Sequence, residues 1–283
     1  MPVLRRAVTF GVLIALIPAN VWLMLLTTLG VPVAACAEAV FLAVFVWWAR
    51  GGGPPRTLRD RRRTLFRGIP RGATAWTWSL VAAVSFAATV HAAIALLFRL
   101  VPFPAATFHQ GYDISFIPTR GLQWVAVVAS AASAGICEEI GFRGYMQQPL
   151  EGLYGWRPAV AVSSLLFMLA HLTKGWALIG MVPIVFGAGG LLGMLAWAAG
   201  SLVPCMIGHT IMDIGLFGFW WTGLAGTYAA RPISETGLDH PFLAVCVTLA
   251  LCLSVVLVAI RQIRREAEAW TVVPTPRVSQ SRR

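Results

Sequence analysis

Apolar residues arrive in long runs, at 8–29, 31–49, 74–97, 122–137, 159–172, 176–199, 203–221 and 242–260. Most are near the ~20 residues that a helix needs to cross the hydrocarbon layer, where an unpaired backbone is not tolerated. Two runs are short. The first, 122–137, is expected to continue through the charged stretch 138–143 to about residue 150. Pro149, Gly152, Gly155 and Pro158 then make the break. The pattern predicts an all-α, polytopic transmembrane helical bundle of about eight spans. It divides into N-terminal helices with a basic loop at 50–71 (1–121), a central core (122–221), and an outer loop, last span and basic tail (222–283).

Composition agrees. Of 283 residues, 58% are hydrophobic and 12% charged, about half the charge of a soluble domain. The mean hydropathy is +0.75. A soluble globular domain, a disordered chain, a collagen-like repeat and a disulfide-stapled scaffold are all excluded. The five Cys lie in apolar segments without CxxC or zinc-finger spacing and read as small buried side chains.

A net charge of +11 would suggest nucleic acid in a soluble protein. Here its distribution says otherwise. With the N-terminus inside, 18 of the 22 basic residues fall on the inner face, leaving Arg99, Arg120, Lys174 and Arg231 outside. That asymmetry predicts both termini in the cytoplasm and no nucleic-acid partner. Trp47, Trp48, Trp76, Trp78, Trp156, Trp176, Trp220 and Trp221 sit near span ends, as an interfacial belt would. All basic residues but Lys174 are Arg, a composition that hints at a GC-rich genome and a bacterial cytoplasmic membrane. Arg5 and Arg6 before an apolar run imitate a signal peptide, but the run is too long for one and is read as an uncleaved first span. The 50–71 loop reads as an ordinary positive-inside loop. In the sixth run, Gly189 and Gly193 form a GxxxG pair suited to close helix approach.

Ionisable groups inside spans cost about 2.5–3.5 kcal/mol each at a helix centre. This chain keeps Glu138, Glu139, Arg143, His171, His209 and Asp213 in or beside its spans. Six on three helices point to function rather than packing. Glu139 and Arg143 are i,i+4, acid first, the favourable order for a pair. Glu138 points about 100° away around the helix and is left as the free carboxylate. His209 and Asp213 share one face of the seventh span. Phe167 is i,i+4 with His171 and can wall its imidazole. Helix rise places Glu138 roughly 18 Å and His171 roughly 20 Å from the inner ends of their spans, depths compatible with one buried site. A carboxylate, two imidazoles and an Asp can activate a water. Either the carboxylate is the general base, or a bound Zn²⁺ on His171, His209, Asp213 and Glu138 lowers the water's pKa.

These residues resemble a known family. Glu138-Glu139-Ile140-Gly141-Phe142-Arg143 looks like the EExxxR motif of the CPBP intramembrane proteases, the CAAX proteases and bacteriocin-processing enzymes related to type II CAAX prenyl endopeptidases. Phe167-Met168-Leu169-Ala170-His171 is similar to their FxxxH motif, and His209-Thr210-Ile211-Met212-Asp213 to HxxxN/D. The resemblance implies an eight-helix bundle that hydrolyses peptide bonds of a membrane protein or peptide, with or without a lipid anchor. It implies Glu138 as the water-activating base, with His171, His209 and Asp213 completing the site and Glu139, Arg143 and Phe167 supporting it. Asp213 departs from the commoner Asn. An ionised Asp only accepts hydrogen bonds, which argues against donation to an oxyanion and for a metal ligand or a partner of His209.

Other protease chemistries lack their motifs: there is no HExxH, GxSG or GxGD. Ser133, Ser163 and Ser164 read as packing residues, and Glu38 as a packing hydrogen-bond partner. His91, His109 and His240 have no partner at ligand spacing and read as structural or surface groups. Asp113, Glu235 and Asp239 are expected to be solvated in outer loops. A proton- or ion-coupled transporter is the alternative from another class, since buried Glu, His and Asp also make proton relays. The chain shows no internal repeat to support it. A non-catalytic scaffold or immunity protein on the same fold is the third. Oligomeric state is left open.

Overall fold

A computed structural model describes residues 2–68, 72–106, 112–172 and 180–272. His109, Lys174 and Trp176 lie outside these. Among the described residues the regular structure is all helix, and there is no strand. Helices α1 (Pro2–Ala19), α2 (Val21–Leu29) and α3 (Val31–Ala49) come first. The break at Asn20 follows Pro18, which withholds an N–H from the last turn of α1. Asn20 Nδ2 donates to the Leu16 carbonyl at 2.7 Å, beside the Asn20 backbone N–H at 3.3 Å. Gly30, at φ +73°, makes the corner into α3. Short α4 (Arg59–Phe66) and long α5 (Ala73–Leu100) follow.

Helix α6 (Arg120–Glu139) runs on as a π-helix, Ile140–Gln147, and then as α7 (Gln148–Tyr154). The run does continue through its charged stretch, as the sequence predicts. Next come α8 (Trp156–His171), α9 (Val182–Ala199) and α10 (Val203–Gly215), the last extended by a second π-helix, Leu216–Trp221. A single turn, α11 (Ile233–Thr236), and α12 (His240–Val272) complete the chain.

Among the described residues, seven helices are long and apolar enough to cross a membrane, beside the about eight spans expected. The difference is α8, whose 16 residues span about 24 Å, short of the ~30 Å hydrocarbon layer. Burial separates inner from outer helices. The windows in Arg120–Tyr154 and Val203–Trp221 are each 56% buried, whereas that in His240–Glu268 is 17% buried and faces outward. The site residues of α6 and α10 are therefore at the centre of the bundle.

Small residues set the spacing at that centre. A Cβ on Gly141 would overlap the Ala15 backbone, and one on Gly11 would lie 2.6 Å from Met146 Cβ, so α1 lies almost backbone to backbone on the first π-helix. A Cβ on Gly135 would press on Thr210, whose backbone nitrogen is 2.8 Å away, so α6 and α10 meet just before Glu139 and just after His209. The GxxxG expectation holds on α9. Side chains at Gly189 and Gly193 would meet Ser164 Cα at 3.1 Å and Val160 Cγ1 at 3.0 Å on α8.

The other polar expectations resolve individually. Ser163 donates to the Phe142 carbonyl and Ser164 to Val160, both packing roles. His91 does structural work: Trp220 Nε1 donates to its Nδ1 at 3.1 Å, which leaves Nε2–H to donate to the Met212 carbonyl at 3.2 Å. Asp239 is not merely solvated. It accepts from Arg99 at 2.6 Å, a contact that holds its carboxyl below the usual range. Glu38 is 1% exposed and lies beside Ser133, yet neither carboxylate oxygen has a hydrogen bond of normal geometry. It is buried as expected but lacks the partner that the packing reading required.

Candidate active site

Glu139 is fully buried and its Oε1 takes two hydrogen bonds. Arg143 Nη1 donates to it at 2.9 Å and His209 Nδ1 at 2.8 Å. A carboxylate only accepts, so His209 Nδ1 carries a hydrogen. The other ring nitrogen, Nε2, faces Asp213 Oδ2 at 3.5 Å. The sequence leads to a Glu139–Arg143 clamp, and the structure has it. The same carboxylate also fixes His209, a contact that motif spacing does not reveal because the two residues lie on different helices.

Arg143 is likewise fully buried. Its Nη2 donates to the Gly189 carbonyl at 3.1 Å. Its guanidinium lies over the Phe167 ring, 4.5 Å from the centroid. Gly189 can offer its carbonyl because it has no side chain to cover it. Gly193 does the same one turn on, accepting from Gln147 Nε2 at 2.9 Å. The second amide hydrogen of Gln147 goes to Glu151 Oε1 at 2.7 Å, and Arg67 donates to the same oxygen at 2.8 Å. Glu139, Arg143, Gln147 and Glu151 thus form a polar ladder at four-residue intervals. Its lower half was legible as i,i+4 spacing but goes unread if attention stops at the first pair.

Glu138 stands apart from this network. Its Oε2 is inaccessible and has no hydrogen-bond partner. The nearest ionisable group is His171, whose Nε2 is 4.0 Å from it. His171 Nδ1 lies 2.8 Å from the Phe167 carbonyl and donates to it. Phe167 walls both imidazoles, with centroids 4.6 Å from His171 and 5.8 Å from His209. Exposure divides the site. Glu139 and Arg143 are at 0% and His209 at 2%, whereas Glu138 is at 12% and His171 at 22%. The Glu138 and His171 side chains are thus partly exposed, and the charge cluster behind them is dry.

Residues 120–215 match the family model described as Type II CAAX prenyl endopeptidase Rce1-like. The match makes this core similar to CAAX-type endopeptidases, and Glu138, Glu139, Arg143, Phe167, His171, His209 and Asp213 all fall inside the matched stretch. No curated protein and no solved structure matches the chain.

The arrangement can be tested against a zinc ion. A zinc site needs three or four donors converging at about 2.0–2.2 Å. Both His209 nitrogens are turned to carboxylates, and His171 Nδ1 is turned to a carbonyl. His171 Nε2 and Glu138 Oε2 lie 4.0 Å apart. Among the described residues, no group of three or more His, Cys, Asp or Glu is placed to hold a metal. As placed, His171, His209, Asp213 and Glu138 do not fit zinc, and no step below is routed through one.

Proposed function

We propose that the chain is a membrane-embedded endopeptidase in which Glu138 activates a water for attack on a peptide bond of a membrane-associated protein or peptide. One observation supports the reading: Glu138 Oε2 and His171 Nε2 lie 4.0 Å apart, on side chains that are 12% and 22% exposed. That gap is too long for a direct hydrogen bond and suits a water about 2.8 Å from each. Such a water donates one hydrogen to each acceptor and presents its lone pairs to a substrate carbonyl. Glu138 takes the proton as the oxygen attacks. It returns that proton to the leaving nitrogen as the C–N bond breaks. General-base assistance of this kind contributes about 10²–10⁴-fold.

The remaining residues position this pair. Phe167 fixes His171 through its carbonyl and its ring. Glu139 and Arg143 lock the helix that carries Glu138, and Glu139 with Asp213 holds His209 behind Phe167. Mean hydropathy and the seven apolar helices support a substrate presented at the bilayer. The arginine asymmetry and composition support a bacterial cytoplasmic membrane with both termini inside.

The test compares terminal peptides of the membrane proteome from cells expressing wild type and Glu138→Ala at equal levels. Termini that require Glu138 are expected and would name the substrates. Identical sets of termini would refute the reading.

A further inference from the structure

The basic loop after α3 is not a loose run of charge. Arg62 is 2% exposed and donates to the carbonyls of Gly52, Gly53 and Pro55 at 2.7, 2.9 and 3.1 Å. Its guanidinium stacks over Trp48 at 5.0 Å, and Trp48 Nε1 donates to the Pro54 carbonyl at 3.0 Å. A charge with no acidic partner is thus spent on tying residues 52–55 into one shape. Leu65 and Phe66 bury the same face of α4, and α4 rests on the π-helix, where a Cβ on Gly144 would lie 2.9 Å from the Leu65 carbonyl.

That construction turns three other arginines outward together. Arg59 and Arg63 pack their stems over Gly51, which at φ +91° has no Cβ to obstruct them. Arg50 is anchored beside them with its guanidinium 5.9 Å from the Phe66 ring. Together with Trp47, Ala43 and Gly51 they line a cavity of about 370 Å³. A second cavity of about 290 Å³ shares Arg50 and Arg63 and adds Arg67. Among the described residues none of Arg50, Arg59 and Arg63 joins an ion pair, whereas Arg67 pairs with Glu151. The acid closest in sequence, Asp60, is exposed and also forms none. The wall above is apolar. Val40, Val44 and Trp47 lie on one face of α3, at 65%, 53% and 57% exposure.

We propose that Arg50, Arg59 and Arg63 form a binding site for the phosphate of an anionic phospholipid, whose acyl chains run along the Val40–Val44–Trp47 face of α3. Convergent guanidiniums without counter-ions supply the anion recognition. A tryptophan at the edge of an apolar helix face is what a headgroup-level site requires. The continuous apolar wall selects a lipid over a free phosphate.

The test uses the full-length protein in neutral maltoside micelles, titrated with dioctanoylphosphatidylglycerol, dioctanoylphosphatidylcholine or inorganic phosphate while the thermal midpoint is followed. The glycerol lipid should raise the midpoint of wild type, and the other two should not. Arg50→Gln/Arg63→Gln should need about 25-fold more of that lipid, about fivefold per guanidinium removed. Arg56→Gln/Arg61→Gln, with the same change of charge in residues lining neither cavity, should respond as wild type does. Equal weakening in both double variants would overturn the site in favour of diffuse surface charge. An equal shift with inorganic phosphate would overturn the lipid as occupant. An equal shift with phosphatidylcholine would overturn the proposal on wild type alone, whatever the variants do.

Discussion

Adjacent carboxylates offer a sharp experiment, because Glu138 and Glu139 differ in everything except chemistry. Consider the amide replacement at each. Glu139→Gln removes the charge that Arg143 faces at 2.9 Å and His209 at 2.8 Å, with all three groups at most 2% exposed. Arg143 keeps its bond to Gly189, but its charge is left uncompensated in a dry site. Removing one partner of a buried pair costs about 3–5 kcal/mol. At about 2 °C per kcal/mol, the lower end of the range and suited to a chain of this length, the midpoint should fall by roughly 6–10 °C. Glu138→Gln breaks no hydrogen bond at Oε2, which has none. Its effect should stay within about 0.5 kcal/mol, or about 1 °C. Activity should separate the two differently. Glu138→Gln should lower cleavage about 10²–10⁴-fold at unchanged stability. The assay is a thermal melt of each variant in the same detergent beside cleavage of a substrate found by terminal proteomics. The reasoning fails if Glu139→Gln melts with wild type, or if Glu138→Gln loses as much stability as Glu139→Gln.

Other outcomes follow from the same geometry. Cleavage should survive EDTA, since the candidate ligands are turned toward other partners; metal-dependent recovery after stripping would contradict that. Gly193→Val, facing Gln147 Oε1 at 2.8 Å and Val160 at 3.0 Å, should destabilise by about 1–3 kcal/mol in a thermal melt, whereas Gly187→Ala, with nothing within 4 Å, should not. Arg99 holds the Asp239 carboxyl below its ordinary value of 3.8, so this contact stabilises the fold at pH above about 4 and loses its effect as pH falls through the depressed value. Asp239→Asn should therefore be less stable than wild type at neutral pH, and the two melts should converge toward pH 2–3.

How far the sequence leads depends on whether a feature is local. The long apolar runs give nearly every helix, and 31–49 matches α3 at both ends. The Glu139–Arg143 pair and the GxxxG contact are legible because each is set by spacing along one helix. The bond between Glu139 and His209 is not, because it depends on how α6 meets α10. Gly135 against Thr210 sets that approach, and an isolated glycine in an apolar run has no pattern that singles it out. The short α8 shows a different limit. Apolar composition measures what a helix faces but not whether its length reaches both surfaces. The basic loop shows the same limit: charge asymmetry predicts which side it lies on, but only the Arg62 contacts show that it is folded.

The opposite roles proposed for Glu138 and Glu139 follow from one rotation of about 100° on a helix that is buried on one side only. On the inner side the neighbours are α9 and α10, where a glycine carbonyl accepts from Arg143 and His209 donates to Glu139, so that charge can be dry without being unpaired. On the other side the neighbour is His171, near the end of α8. It places an imidazole 4.0 Å from the carboxylate, at 22% and 12% exposure. Lengthening α8 by one turn after Pro158 would move His171 by about 5.4 Å. It should abolish cleavage while leaving the Glu139–Arg143–His209 cluster, and most of the stability, in place. A fully active insertion variant would mean that His171 is not part of the site.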